Sequence, residues 1–63
     1  MQQPLLMDED ERRVLAVLTS EPMHIDDVGE RSGLALPRIS AILLTFELQE
    51  LVRNAGAQHY VRR

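Results

Sequence analysis

Seven arginines, ten carboxylates and two histidines are the side chains with chemistry to offer here; the 63-residue sequence has no cysteine. Thiolate catalysis, disulfide staples and zinc–thiolate sites are therefore excluded. His24 and His59 share no H-x-x-x-H spacing, and two imidazoles lack the third ligand that a catalytic zinc requires. No Ser/His/Asp grouping, phosphate-cradling glycine loop or paired-carboxylate site occurs at a workable spacing. The residue types point to a protein that is not an enzyme and that needs neither a metal nor a cofactor.

What remains is recognition, and the charges are unevenly placed for it. Residues 1–30 hold eight acids against Arg12 and Arg13, a balance of −6. Residues 31–63 hold Arg31, Arg38, Arg53, Arg62 and Arg63 against Glu47 and Glu50, a balance of +3. A total of −3 disfavours a generic nucleic-acid binder, yet such asymmetry can mark the face that meets a polyanion. An acidic solvated helix with scattered surface arginines explains the same distribution.

The elements that must position these groups follow from caps and periodicity. Residues 1–7 read as a linker remnant and 8–63 as one domain. Asp8 and Glu11 form a capping-box pair, and Val14, Leu15, Val17 and Leu18 give a first helix over about 8–19, stopped before Pro22. A short second helix spans 25–32, with Asp26 and Asp27 in its first turn and Gly33 placed to end it in a left-handed conformation. His24, just before it, reads as a polar cap. The third helix starts at Leu36 with Pro37 in its first turn and reaches Glu50, with Leu36, Ile39, Ile42, Leu43 and Phe46 on its core face. Leu51–Arg53 and Gln58–Arg62 read as two strands joined by a turn at Asn54-Ala55-Gly56-Ala57. The expected fold is mainly α with a small β-hairpin: a winged helix-turn-helix, three helices plus a wing. No apolar run approaches the ~20 residues of a membrane span and no signal-peptide pattern opens the chain, so a cytoplasmic setting is expected.

The stretch from Val28 to Leu43 carries the helix-turn-helix. Gly29 offers a tiny residue where two helices touch, Gly33 tolerates positive φ four positions on, and Leu34, Ile39 and Ile42 are the apolar anchors. Read with its flanks, the chain shows a closer likeness. Pro22-Met23-His24-Ile25-Asp26-Asp27-Val28, Leu44-Thr45-Phe46-Glu47-Leu48, and Leu51-Val52 with Gly56 and Tyr60 resemble the C-terminal winged-helix domain of the DNA-processing protein DprA (Smf) family, over about residues 8–63. The resemblance implies a bacterial accessory module. In that family a Rossmann-like domain binds single-stranded DNA and helps load the recombinase in natural transformation. Two positions depart from the usual pattern: Gly29 stands where Ala is common, and Glu50 where many winged helices put Gly before the first wing strand.

Two surfaces are candidates for contact. A third helix in the major groove would present Pro37, Arg38, Ser40, Ala41 and Thr45, with Arg53, Gln58, Arg62 and Arg63 around the wing. Of these only Arg38 could bind a guanine edge bidentately. Four arginine–phosphate contacts imply a salt slope of about −3.6 at ~0.9 per phosphate, so DNA binding is expected to be weak. Leu44 and Leu48 form a second stripe on the third helix. It is suited to a partner protein, a second copy or the parent's Rossmann-like domain, unless the hairpin or first helix covers it. Competing readings are the DNA-binding domain of a transcription regulator and a pure oligomerisation or docking module.

Overall fold

A computed structural model describes residues 7–63. In chain order the elements are α1 (Glu9–Val17), β1 (Met23–His24), α2 (Ile25–Ser32), α3 (Leu36–Leu48), β2 (Val52–Gly56) and β3 (His59–Arg62). Three helices and one antiparallel sheet make a winged helix. The linker expected over residues 1–7 lies outside the described residues except for Met7, which packs partly against the core.

Caps fix the helix boundaries. Asp8 Oδ1 accepts from the Glu11 N–H at 2.8 Å and Glu11 Oε1 accepts from the Asp8 N–H at 3.0 Å, so the capping box is complete. The helix ends at Val17, earlier than the proline alone requires, because Leu18 turns extended and drops into the core at 2% exposure. His24 caps α2 with Nδ1 accepting from the Asp26 N–H at 3.0 Å. Gly33 closes that helix at φ 78°, donating to the Gly29 carbonyl. Buried Ser32 finds partners locally: its hydroxyl donates to the Gly29 carbonyl and accepts from the Leu34 N–H.

α3 stops at Leu48, two residues short of the expected Glu50. There the Glu50 N–H donates to the Glu47 carbonyl and the Leu51 N–H to the Phe46 carbonyl. This is the Schellman arrangement, which wants glycine at the left-handed position. Here that position is Glu50, at φ 63°.

The sheet departs most from expectation. Its order is β1-β3-β2, so a third strand joins the hairpin: Met23 pairs with Tyr60 and His24 with His59. Two residues carry no legible alternation, and β1 exists only because β3 offers it a ladder. The turn also moves. Asn54 and Gly56 belong to β2, with an irregularity in register between them. The reversal is made by Ala57 at φ 51° and Gln58 at φ 62°. Both central residues are left-handed, as a two-residue hairpin turn demands, but neither is a glycine or asparagine that would have announced it.

The core is Val14, Leu18, Ile25, Val28, Ile39, Ile42, Leu43, Phe46, Val52 and Val61. Leu36, expected among them, is 47% exposed, since it opens α3 one turn before the helix meets its neighbours. Gly29 is not forced by the crossing. A methyl there would lie 3.5 Å from the Leu34 carbonyl oxygen and 4.0 Å from Ile39 Cγ1, ordinary van der Waals distances. Gly29→Ala should therefore raise stability by about 0.5–1 kcal/mol through helix propensity. Glu50→Gly should do the same by relieving a left-handed non-glycine residue, at about 1 kcal/mol. Urea unfolding of each variant checks both; a loss on Gly29→Ala would mean that the helices cross more tightly than described.

Candidate functional site

α3 and the wing are the surfaces that the fold leaves for contact. The helix projects one row inward, Ile39, Ile42, Leu43 and Phe46, and the rest of its circumference outward. Ser40, Ala41 and Pro37 are exposed, and Thr45 is half-buried with its hydroxyl donating to the Ala41 carbonyl at 3.1 Å. Leu44 is 58% exposed and Leu48 77%. Neither the hairpin nor α1 covers the leucine stripe.

Arg38 is the one charged candidate on this helix, and it is already engaged. Its Nη2 donates to Asp8 Oδ2 at 2.8 Å and its Nε to Asp10 Oδ2 at 3.2 Å. The guanidinium thus ties the start of α3 to the start of α1. Hydrogen bonding to Asp10, then the Asp8 and Asp10 charges, hold its pKa above the ordinary arginine value against some desolvation. The Asp8 carboxyl is held below its ordinary 3.8, first by the Glu11 N–H and then, against desolvation, by Arg38. To read a guanine, Arg38 would have to leave two carboxylates.

A pH dependence follows. A carboxyl with a depressed native pKa contributes stability that is complete above 3.8 and is lost as pH falls through the lower native value. The urea midpoint should therefore drop on acidification below about pH 4. The drop should be shallower in Asp8→Asn, which cannot titrate. Equal slopes in the two proteins would count against the assignment.

The wing is differently disposed. Arg53, Gln58, Arg62 and Arg63 are all exposed. Among the described residues no ion pair joins Arg53, Arg62 or Arg63 to a carboxylate. The Arg62 guanidinium donates to the Leu15 carbonyl at 3.5 Å. Gln58 holds the hairpin turn, its carbonyl accepting from the Ile25 N–H at 2.9 Å.

Residues 2–58 match the family model of the DprA winged helix domain. The chain belongs to this family. No curated protein and no solved structure matches it.

Within this DprA winged helix domain the candidate residues divide into two groups. Arg38, Ser40, Ala41, Thr45, Leu44 and Leu48 share α3, where the surface is mostly apolar. Arg53, Gln58, Arg62 and Arg63 belong to the hairpin and its end, with Arg53 opposite Val61 and Arg62 opposite Val52, and therefore on opposite faces. Among the described residues these arginines form no ion pair. Arg31 is a further exposed arginine with no ion pair among the described residues. Sequence alone does not mark it, because His59, which lines a cavity with it, reaches α2 only through folding. The His24 and His59 rings meet edge to face with centroids 5.1 Å apart. They border a cavity of about 330 Å³ that Glu21, Asp27 and Arg31 also line, walls of mixed sign that suit no polyanion. Among the described residues no three His, Cys, Asp or Glu side chains are grouped to hold a metal ion. Tyr60 packs partly against the core; burial, and then the Glu47 charge, push its hydroxyl above the ordinary 10.0. Glu47 forms no ion pair among the described residues. No helix among these residues is long and apolar enough to cross a membrane.

Proposed function

We propose that the domain serves as an accessory, non-enzymatic module of a DprA-like DNA-processing protein in transformation and recombination, and that α3 is its protein-contact face. One observation carries the reading: the helix that winged helices lay in a groove presents Leu36, Leu44 and Leu48 at 47%, 58% and 77% exposure, while its only arginine is held by two carboxylates. Side chains of that kind cannot pair with base edges, but they favour burial against another apolar surface. The parent's Rossmann-like domain, a separate partner protein and a second copy are the occupants to consider. A subsidiary role in holding DNA falls to the wing, where Arg53, Arg62 and Arg63, which form no ion pair among the described residues, can meet phosphates.

Titrating the chain with labelled single- and double-stranded DNA at low and physiological salt tests this reading. Expected is weak, sequence-indifferent binding in the range of about 1–100 µM that fades with salt. Nanomolar, sequence-dependent duplex binding would instead establish the DNA-binding domain of a transcription regulator.

A further inference from the structure

The exposed side chains of α3 form an ordered seam. Pro37, Ala41, Leu44 and Leu48 succeed one another at intervals of four, three and four, the spacing at which one stripe of a helix faces another helix. All four are exposed. The seam also has a size pattern, with small residues in its first half and leucines in its second. Set antiparallel, with a two-fold axis between Ala41 and Leu44, the seam is complementary to itself: Ala41 meets Leu44 of the second copy and Pro37 meets its Leu48. Each leucine then packs over a small residue. A parallel pair would stack leucine on leucine and leave a gap where alanine faces alanine.

The flanks agree with the antiparallel arrangement. Residues beside an antiparallel seam face their own kind: Arg38 comes beside Thr45 of the other copy, and Ser40 beside Glu47. No like charges are brought together, and Glu47 gains a hydroxyl donor. We propose that this face binds a second copy of the chain, α3 antiparallel to α3, which rests on and deepens the reading of α3 as a protein-contact face. The seam is about 17 Å long at ~1.5 Å per residue and one helix wide, so it buries far less than the ~800 Å² per partner of a stable complex. The pair is therefore weak, and copies held close on one assembly or one strand of DNA would form it more readily than free ones.

The absence of native cysteine makes orientation testable. Ala41→Cys and Leu44→Cys chains, mixed in equal amounts at high concentration and oxidised gently, should yield the mixed disulfide at well over twice either symmetric one, the proportion that random pairing gives, read by mass spectrometry. Sedimentation of the unmodified chain should show mass rising above the monomer as concentration passes ~0.1–1 mM. Leu44→Glu/Leu48→Glu, with helical content verified by circular dichroism, should stay monomeric. A chain that remains monomeric throughout, or symmetric and mixed disulfides in the random 1:2:1 proportion, would overturn the pairing while leaving α3 as a face for other proteins. Sequence-dependent duplex binding abolished by Leu44→Glu would overturn the reading beneath it.

Discussion

Phe46→Ala should leave much of the protein unfolded at room temperature. Phe46 is 1% exposed and heads the fully buried side chains by size. Truncating such a phenylalanine costs about 3–5 kcal/mol. At ~0.05–0.15 kcal/mol per residue a domain of this length has about 3–9 kcal/mol in all, so the loss is comparable to the whole. The same residue's carbonyl accepts the Leu51 N–H at 2.8 Å, so loosening it also loosens the junction that directs the chain into β2. The natural comparison is Leu48→Ala on the same helix, which should change stability by under about 0.5 kcal/mol because the side chain is already in water. Far-UV circular dichroism against urea measures both. A Phe46 variant that kept a full native baseline would mean that the core is not packed as described.

The second large effect concerns DNA. Replacing Arg53, Arg62 and Arg63 together by Ala should remove most of whatever affinity the chain has at low salt. It should also flatten the dependence of log K on log salt by about 2.7, at ~0.9 per lost phosphate contact. Arg38→Ala should change that slope by less than one contact, because its guanidinium is occupied by Asp8 and Asp10. Fluorescence anisotropy over a salt series separates the two variants. Should Arg38→Ala abolish binding while the triple variant behaves as wild type, α3 rather than the wing would be the DNA-contacting element.

Much of this architecture was legible in the residues because it is locally encoded. Asp8 and Glu11 announce a helix start through reciprocal hydrogen bonds three positions apart, and Gly33 announces a helix end through a conformation that glycine adopts freely. The apolar spacing of Ile39, Ile42, Leu43 and Phe46 identifies the inner row of α3. What was not legible depends on partners remote in sequence or on residues acting against type. β1 has no pattern of its own and is defined by His59 and Tyr60 from the far end of the chain. The wing turn was misplaced because Ala57 and Gln58 accept a left-handed backbone that composition would assign to Asn54 and Gly56. Leu36 has the right periodicity for the core but lies beyond the reach of its neighbours. Of the candidate surface, the exposure of Leu44 and Leu48 could not be decided from spacing, since a helix does not reveal how far others wrap around it. The capture of Arg38 was equally hidden, because Asp8 and Asp10 stand about thirty positions upstream and only the docking of α1 on α3 brings them within reach.

The strand order has a consequence for how the molecule comes into being. β3 follows β1 and β2 in sequence yet is the middle strand, and among the described residues it alone touches both of the others. The helices can form as the ribosome delivers them, but neither β1 nor β2 has anything to pair with until His59–Arg62 clears the exit tunnel. The sheet is therefore sealed in a single late event. A nascent chain stalled just short of that point would expose two lone ribbons to whatever else in the cell could complete them.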